Sequence, residues 1–76
     1  MYIIKDTKYD FYVRYYIYYD QKSPAPIAHL YLMKNMGKNN WIVDNYFAYD
    51  SHKKHLSELL EHAMADLTDV ICKCNF

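Results

Sequence analysis

Six tyrosines fall within residues 9–19 of this 76-residue chain. Side chains of a β-strand alternate between its two faces, so a strand over this segment has two different surfaces. One face receives an apolar set that suits a core: Tyr9, Phe11, Val13, Tyr15, Ile17 and Tyr19. The other receives tyrosines and one arginine between two acids: Asp10, Tyr12, Arg14, Tyr16, Tyr18 and Asp20. The segment predicts a strand that buries one face and uses the other for contact, because Tyr and Arg often dominate interface energies.

Two further strands are predicted after a turn. Residues 21–26 contain two prolines, which remove backbone donors and restrict φ, so they predict the turn. Residues 27–34 and 41–49 have strand composition, and residues 35–40 between them predict a hairpin around the single glycine. In the last strand, alternation assigns Trp41, Val43, Phe47 and Tyr49 to one face and Ile42, Asp44, Tyr46 and Ala48 to the other. Residues 2–4 add a short N-terminal strand.

Apolar residues after Ser51 recur at helical spacing. They are Leu56, Leu59, Leu60, Ala63, Met64, Leu67, Val70 and Ile71. This pattern predicts an amphipathic helix of about 20 residues, with Ser51 or Asp50 as its N-cap. We therefore predict a single α+β domain over residues 1–76, with a three- to four-stranded antiparallel sheet and one long C-terminal helix packed on one face.

One helix can cover only one face of such a sheet. The uncovered face is expected to carry the tyrosine stripe and residues of the later strands: Ile27, His29, Tyr31, Met33 and Tyr46. A face this large and apolar exceeds ordinary solvated surface and indicates an interaction site. The predicted partner-binding residues are Asp10, Tyr12, Arg14, Tyr16, Tyr18, Asp20, Tyr31 and Tyr46. The alternative explanation is that tyrosine simply favours strands and pairs across them.

The charges of the chain disfavour direct binding of nucleic acid. Nine basic and nine acidic side chains cancel, whereas nucleic-acid binders normally show a basic excess. Aromatic sheets can stack on single-stranded bases, but Arg14 is the one cation of the tyrosine stripe. Lys53 and Lys54 at the helix start are a candidate secondary contact for an acidic partner, with a solvated polar turn as the alternative.

No motif indicates catalysis, a cofactor or a metal. His55, Glu58 and His62 share one side of the predicted helix, but the two histidines lie about 10 Å apart, too far for one ion. Cys72 and Cys74 are poorly aimed for a disulfide on a helix and too few for structural zinc, so we expect reduced thiols. The sequence predicts a protein that is not an enzyme and that holds no cofactor.

The hydropathy of the chain predicts a soluble protein. Residues 1–5 lack the features of a signal peptide. No apolar run approaches the roughly 18 residues that a membrane span needs. We therefore expect a cytoplasmic location, which is the host cytoplasm if the protein is encoded by a phage.

The order of elements, with MYIIK at residues 1–5 and Asp50-Ser51 before the helix, resembles small phage-encoded anti-CRISPR proteins of the type I-F class. Members of that class have comparable lengths and similar starts. Some bind a CRISPR surveillance complex through exposed tyrosine and acidic residues of the sheet. This chain departs from them in having no second clear helix after residue 67. The order also resembles arm-type DNA-binding domains of integrases, which are strongly basic, whereas this chain is neutral.

The resemblance implies a small inhibitor that occludes a larger host protein or ribonucleoprotein. Two alternatives remain. In the first, the protein is a homodimeric structural or accessory module, and the tyrosine face is its dimer interface. In the second, it binds single-stranded nucleic acid with little sequence preference.

Overall fold

The computed structural model describes residues 1–71, which form one sheet and one helix. The strands are β1 (Tyr2–Tyr9), β2 (Tyr12–Tyr18), β3 (Ala28–Asn35), β4 (Asn40–Ala48) and β5 (Val70–Ile71). They lie in the order β1-β2-β3-β4-β5, antiparallel from β1 to β4 and parallel between β4 and β5. A 3₁₀ turn (Asp50–His52) and helix α1 (Lys54–Asp66) connect β4 to β5. The predicted α+β class is confirmed, and within residues 1–71 the sheet has five strands instead of three or four.

The tyrosine-rich segment forms parts of two strands and not one continuous strand. β1 runs through the polar residues 5–8 to Tyr9, and Asp10 and Phe11 make the turn into β2. The predicted strand over residues 9–19 is confirmed for Tyr12–Tyr18, but its predicted start at Tyr9 and the predicted end of β1 at Ile4 are wrong. The physical reason is cross-strand pairing, because β2 satisfies the backbone of the polar residues despite their weaker strand preference.

The core lies between α1 and one side of the sheet, which we call the helix-side face. Its buried residues are Val13, Tyr15, Ile17, Ile27, Ala28, Leu30, Leu32, Leu56, Leu59 and Ala63. The predicted core face of the tyrosine-rich segment is thus confirmed within β2. It is wrong for Tyr9, Phe11 and Tyr19, which are exposed because they lie outside β2.

Helix α1 has 13 residues instead of the predicted 20 or so. Leu67 is extended, and Asp69 has a φ of 54°, so the chain leaves the helix and turns back toward the sheet. Val70 then pairs with Trp41 as the start of β5. Leu67 and Val70 still pack against the core, but from a turn and a strand. Their spacing matched a helical period although their backbone is not helical.

The start of α1 also differs from the prediction. The helix begins at Lys54, and its N-cap residue Lys53 makes no side-chain cap hydrogen bond. Asp50 and Ser51 lie one turn earlier, in the 3₁₀ segment. The predicted cap at either of them is therefore wrong, because the preceding 3₁₀ turn moves the start of the α-helix past both.

A β-bulge in β4 exchanges the two faces along that strand. Tyr31 lies opposite Asn45 and Leu32 opposite Val43, so Asp44 is the extra residue. Beyond the bulge, Tyr46 pairs with Leu30 on the helix-side face. The faces predicted for residues 46–48 are consequently reversed, because simple alternation fails when one residue is inserted.

Candidate protein-binding face

The side of the sheet opposite α1, which we call the open face, carries its side chains in rows across the strands. Paired residues of antiparallel strands share a face, so the register defines these rows. The central row is Asp6, Arg14, Tyr31 and Asn45, and the row beside it is Ile4, Tyr16, His29 and Phe47. Flanking rows contain Tyr12, Met33 and Ile42 on one side and Tyr2 and Tyr18 on the other.

Aromatic rings on the open face form a continuous network. His29 and Tyr31 stack with their centroids 4.4 Å apart and their planes at 9°. Tyr16 meets these two rings edge-on, at 6.2 Å and 6.0 Å respectively. Phe47 stacks on His29 at 5.6 Å, and Tyr12 lies 6.1 Å from Tyr31. Because each ring contacts its neighbours, the network is a preorganised surface and not a set of independent side chains.

The network continues to an exposed border. Tyr18 lies 6.5 Å from Tyr16, and Tyr49 lies 5.2 Å from Phe47. Tyr49 is 63% exposed, Phe47 45% and Ile42 40%. Contiguous apolar surface of this kind marks interaction sites on soluble domains.

Charged groups on the open face are few and only partly paired. Arg14 forms an ion pair with Asp6 across the β1–β2 pair. The side chain of Arg14 is 25% exposed, and its Nε has no hydrogen-bond partner within the described part of the chain. The hydroxyl of Tyr12 donates to Asp44 Oδ2 at 3.4 Å, and Asp44 forms no ion pair with any residue in the range 1–71. Two acids therefore accompany one cation here.

Burial favours the neutral forms of three rings of the open face, Tyr12, Tyr16 and His29. Burial, together with a hydrogen bond to Tyr31, raises the pKa of Tyr16 to about 12. Burial and the nearby carboxylate of Asp44 raise the pKa of Tyr12. Burial also lowers the pKa of His29, which disfavours the imidazolium. At neutral pH these three rings are uncharged, and formal charge lies beside them on Asp6, Asp44 and Arg14.

The predicted partner-binding residues are partly brought together. Five of them share the open face: Tyr12, Arg14, Tyr16, Tyr18 and Tyr31. Asp10 lies in the β1–β2 turn, and Asp20 lies in the turn after β2, where its carboxylate accepts the Lys22 N–H at 2.8 Å. Tyr46 was predicted on this face but lies on the helix-side face, because the bulge reverses the strand.

For the remaining residues expected on the open face, two predictions are confirmed and one is wrong, and two residues of this face are not predicted by the sequence. His29 and Met33 lie where the prediction put them, whereas Ile27 is buried in the core. Phe47 was missed because the bulge is invisible to a period-two pattern, and Asp6 was missed because β1 was predicted to end before it. Asp6 could be assigned to this face only from its position opposite Arg14, which becomes known once the register between β1 and β2 is known.

The candidate secondary contact lies at the start of α1. Lys53 and Lys54 are exposed, and Lys53 Nζ lies 3.3 Å from Asp50 Oδ1. Nearby, the Tyr19 hydroxyl and His52 Nε2 are hydrogen-bonded at 2.7 Å. Lys53 is thus already paired locally, and Lys54 is the more available cation of the two.

The two candidate metal-ligating histidines, His55 and His62, contact other side chains. His55 is buried and hydrogen-bonds Glu58, while the ring of His62 packs edge-on against Tyr15 with centroids 5.7 Å apart. Among residues 1–71 there is no group of three or more His, Cys, Asp and Glu side chains that could hold a metal ion. Cys72 and Cys74 lie outside the described residues.

Comparison of the chain with known proteins finds no matching family model, no similar curated protein and no similar solved structure. Within residues 1–71, helix α1 is neither long nor apolar enough to cross a membrane. The open face is the most developed candidate site in the described part of the chain, because it combines a partly exposed ring network with partly unpaired charge.

Proposed function

We propose that this protein is a protein-binding module that recognises its partner through the open face. The observation that carries the proposal is the ring network from Tyr12 through Tyr31 and His29 to Phe47, on the side of the sheet that α1 leaves uncovered. Phe47 is exposed, and the other three rings are half-buried. Aromatic side chains held in place by their neighbours lose little entropy on binding, which favours a high-affinity contact.

A protein partner fits the charges of this face better than nucleic acid does. Arg14 already forms an ion pair with Asp6, and Asp44 adds a second carboxylate beside the rings. A surface that follows phosphates needs several cations, which these residues do not supply. The rings alone could stack on nucleic-acid bases, but the two carboxylates beside them would repel the phosphate backbone of the nucleic acid.

The mode of action that we propose is occlusion of a larger host protein or ribonucleoprotein. A 9.2 kDa chain with one preorganised face can block the surface that it covers without any chemical step. In this proposal the protein acts stoichiometrically as an inhibitor. Lys54, at the edge of the helix start, then provides a second, weaker contact.

The test is site-specific photo-crosslinking inside the native host cell. A photoreactive phenylalanine analogue at Tyr18 or Tyr12 is expected to capture one host protein other than a second copy of this chain, whereas the same group at the exposed helix position Glu61 is not. Adding Tyr16→Ala to the Tyr18 probe is expected to reduce the captured amount strongly, since it removes a central ring. Equal capture from Glu61 and Tyr18 contradicts the proposal.

A further inference from the structure

On the open face, residues of β2 and β4 lie at matching positions on the two sides of β3. This strand is the central one of the five that the described residues form, with β2 and β4 on either side. Tyr31 of β3 lies in one row between Arg14 of β2 and Asn45 of β4. Adjacent strands are about 4.8 Å apart, so Arg14 and the bulge residue Asp44, next to Asn45, flank Tyr31 at similar distances.

A two-fold axis parallel to β3 and just above Tyr31 would make this arrangement self-complementary. Rotation about such an axis lays β2 of one copy over β4 of the other. Arg14 of each copy then lies over Asp44 and Asn45 of its counterpart. The neighbouring row is matched in the same way, with Tyr16 over Phe47 of the second copy.

We propose that in the free protein the open face is covered by a second copy of the chain, in a symmetric face-to-face dimer with two Arg14–Asp44 pairs. The inference goes beyond the proposed function, because it names an occupant of the same face before any target arrives. Target binding and dimer formation are then mutually exclusive.

The charges support a second copy as the occupant. Arg14 gives one N–H to Asp6 and keeps further donors for another carboxylate. Asp44 accepts only a 3.4 Å hydrogen bond from Tyr12 among residues 1–71, so it can accept a guanidinium. The net charge of the chain is zero, so two copies approach without overall repulsion. These pairs fix the register, while the affinity comes from covering the rings.

The architecture of the sheet suits the same arrangement. Two sheets packed face to face lie about 10 Å apart with their strands within roughly 30° of each other. Rotation about an axis parallel to β3 keeps strand over strand and meets this requirement. A domain of this size gains stability from such cover, because a small chain buries a limited fraction of its own apolar surface.

The experiment is sedimentation equilibrium on the purified chain over micromolar to millimolar concentrations. The wild type is expected to approach twice its 9.2 kDa mass as concentration rises. Asp44→Lys sets a cation against Arg14 of the second copy and should raise the dimer dissociation constant about tenfold or more. Glu61→Lys makes the same charge change on exposed α1 and should leave the constant unchanged. If Asp44→Lys does not fold, Asn45→Arg creates the same repulsion.

Isotope-filtered NOE spectra of a mixed labelled and unlabelled sample locate the interface. Contacts between Tyr16 of one copy and Phe47 of the other are expected. A monomer at millimolar concentration, equal weakening by Glu61→Lys, or intermolecular contacts confined to edge strand β1 would each overturn the inference. None of these results bears on the proposed function, which the Tyr18 crosslink in the cell tests. Conversely, a dimer in solution together with no captured host protein in the cell would contradict the proposed function and leave the dimer inference intact.

Discussion

The hydroxyl of Tyr15, whose ring is fully buried in β2, donates a 2.7 Å hydrogen bond to Oδ2 of Asp66, the last residue of α1. The same carboxylate forms an ion pair with Lys5 of β1. The end of the helix is thus tied to two strands on one side of the sheet. This anchor helps to keep α1 on the helix-side face and leaves the opposite face uncovered.

Removing the anchor should destabilise the protein. Asp66→Ala leaves the buried hydroxyl of Tyr15 without its acceptor, which costs about 1–3 kcal/mol of unfolding free energy. Glu61→Ala, on an exposed position of the same helix, should change it by less than about 0.5 kcal/mol. Urea unfolding measures both values. Equal effects of the two substitutions would show that the hydrogen bond to Tyr15 contributes nothing.

The contribution of Asp66 should depend on pH with a definite sign. Its hydrogen bonds from Lys5 and from Tyr15 lower the pKa of the carboxyl below its ordinary value of 3.8. The folded state therefore favours the carboxylate, so the stabilisation is complete above that ordinary pKa. It is lost as the pH falls through the lowered pKa. Comparing urea midpoints of the wild type and Asp66→Asn from neutral to acid pH should show a difference that closes at the acid end.

Tyrosines on the two sides of β2 should respond differently to replacement by alanine. Tyr18 of the open face is only half-buried, so Tyr18→Ala should cost about 1 kcal/mol or less of stability. Tyr15→Ala empties a fully buried position and should cost about 3–5 kcal/mol. Partner binding should show the reverse order, with about 2 kcal/mol lost at Tyr12, Tyr16 or Tyr18. If Tyr18→Ala unfolds the chain while Tyr15→Ala does not, the faces have been assigned the wrong way round.

Recognition through the open face should weaken in acid. His29 lies between the rings of Tyr31 and Phe47, beside Tyr16, and burial lowers its pKa. Any partner that covers this ring buries it further, so binding favours neutral imidazole and weakens as the pH falls through the pKa of His29. Dimer or partner affinity measured from pH 8 to about 5 should show this loss. His29→Phe should remove most of it, whereas His62→Gln should not.

Inhibition by occlusion should follow stoichiometry. The effect should saturate near one copy of the protein per target site, because each copy covers one surface and does not turn over. Arg14→Glu should weaken binding more than Lys53→Glu, since Arg14 lies among the rings and Lys53 is paired with Asp50. Titration of a target's activity measures both. Full loss of activity at far less than one equivalent would indicate enzymatic modification of the target instead.

Local pattern alone determined the buried face of β2 and most of the buried side chains of α1. In α1 it wrongly included Met64, which is 55% exposed, and it missed His55, which is buried. The period-two alternation separated Val13, Tyr15 and Ile17 from the open face, and the structure buries all three. The helical period likewise selected Leu56 and Leu59 for the core. These assignments held because burial in a regular strand or helix depends only on the backbone period and on where apolar residues recur.

Tertiary pairing decided the remaining features, since they depend on residues distant in sequence. Asp6 belongs to a strand because β2 pairs with it, and Tyr46 lies on the helix-side face because β3 pairs across a bulge at Asp44. The helix ends at Asp66 because the following residues gain a parallel pairing with β4 that the helical period cannot reveal. A β-bulge reverses the faces of the strand beyond it, and a turn after a helix ends the helical period. Neither change can be read from the spacing of apolar residues alone.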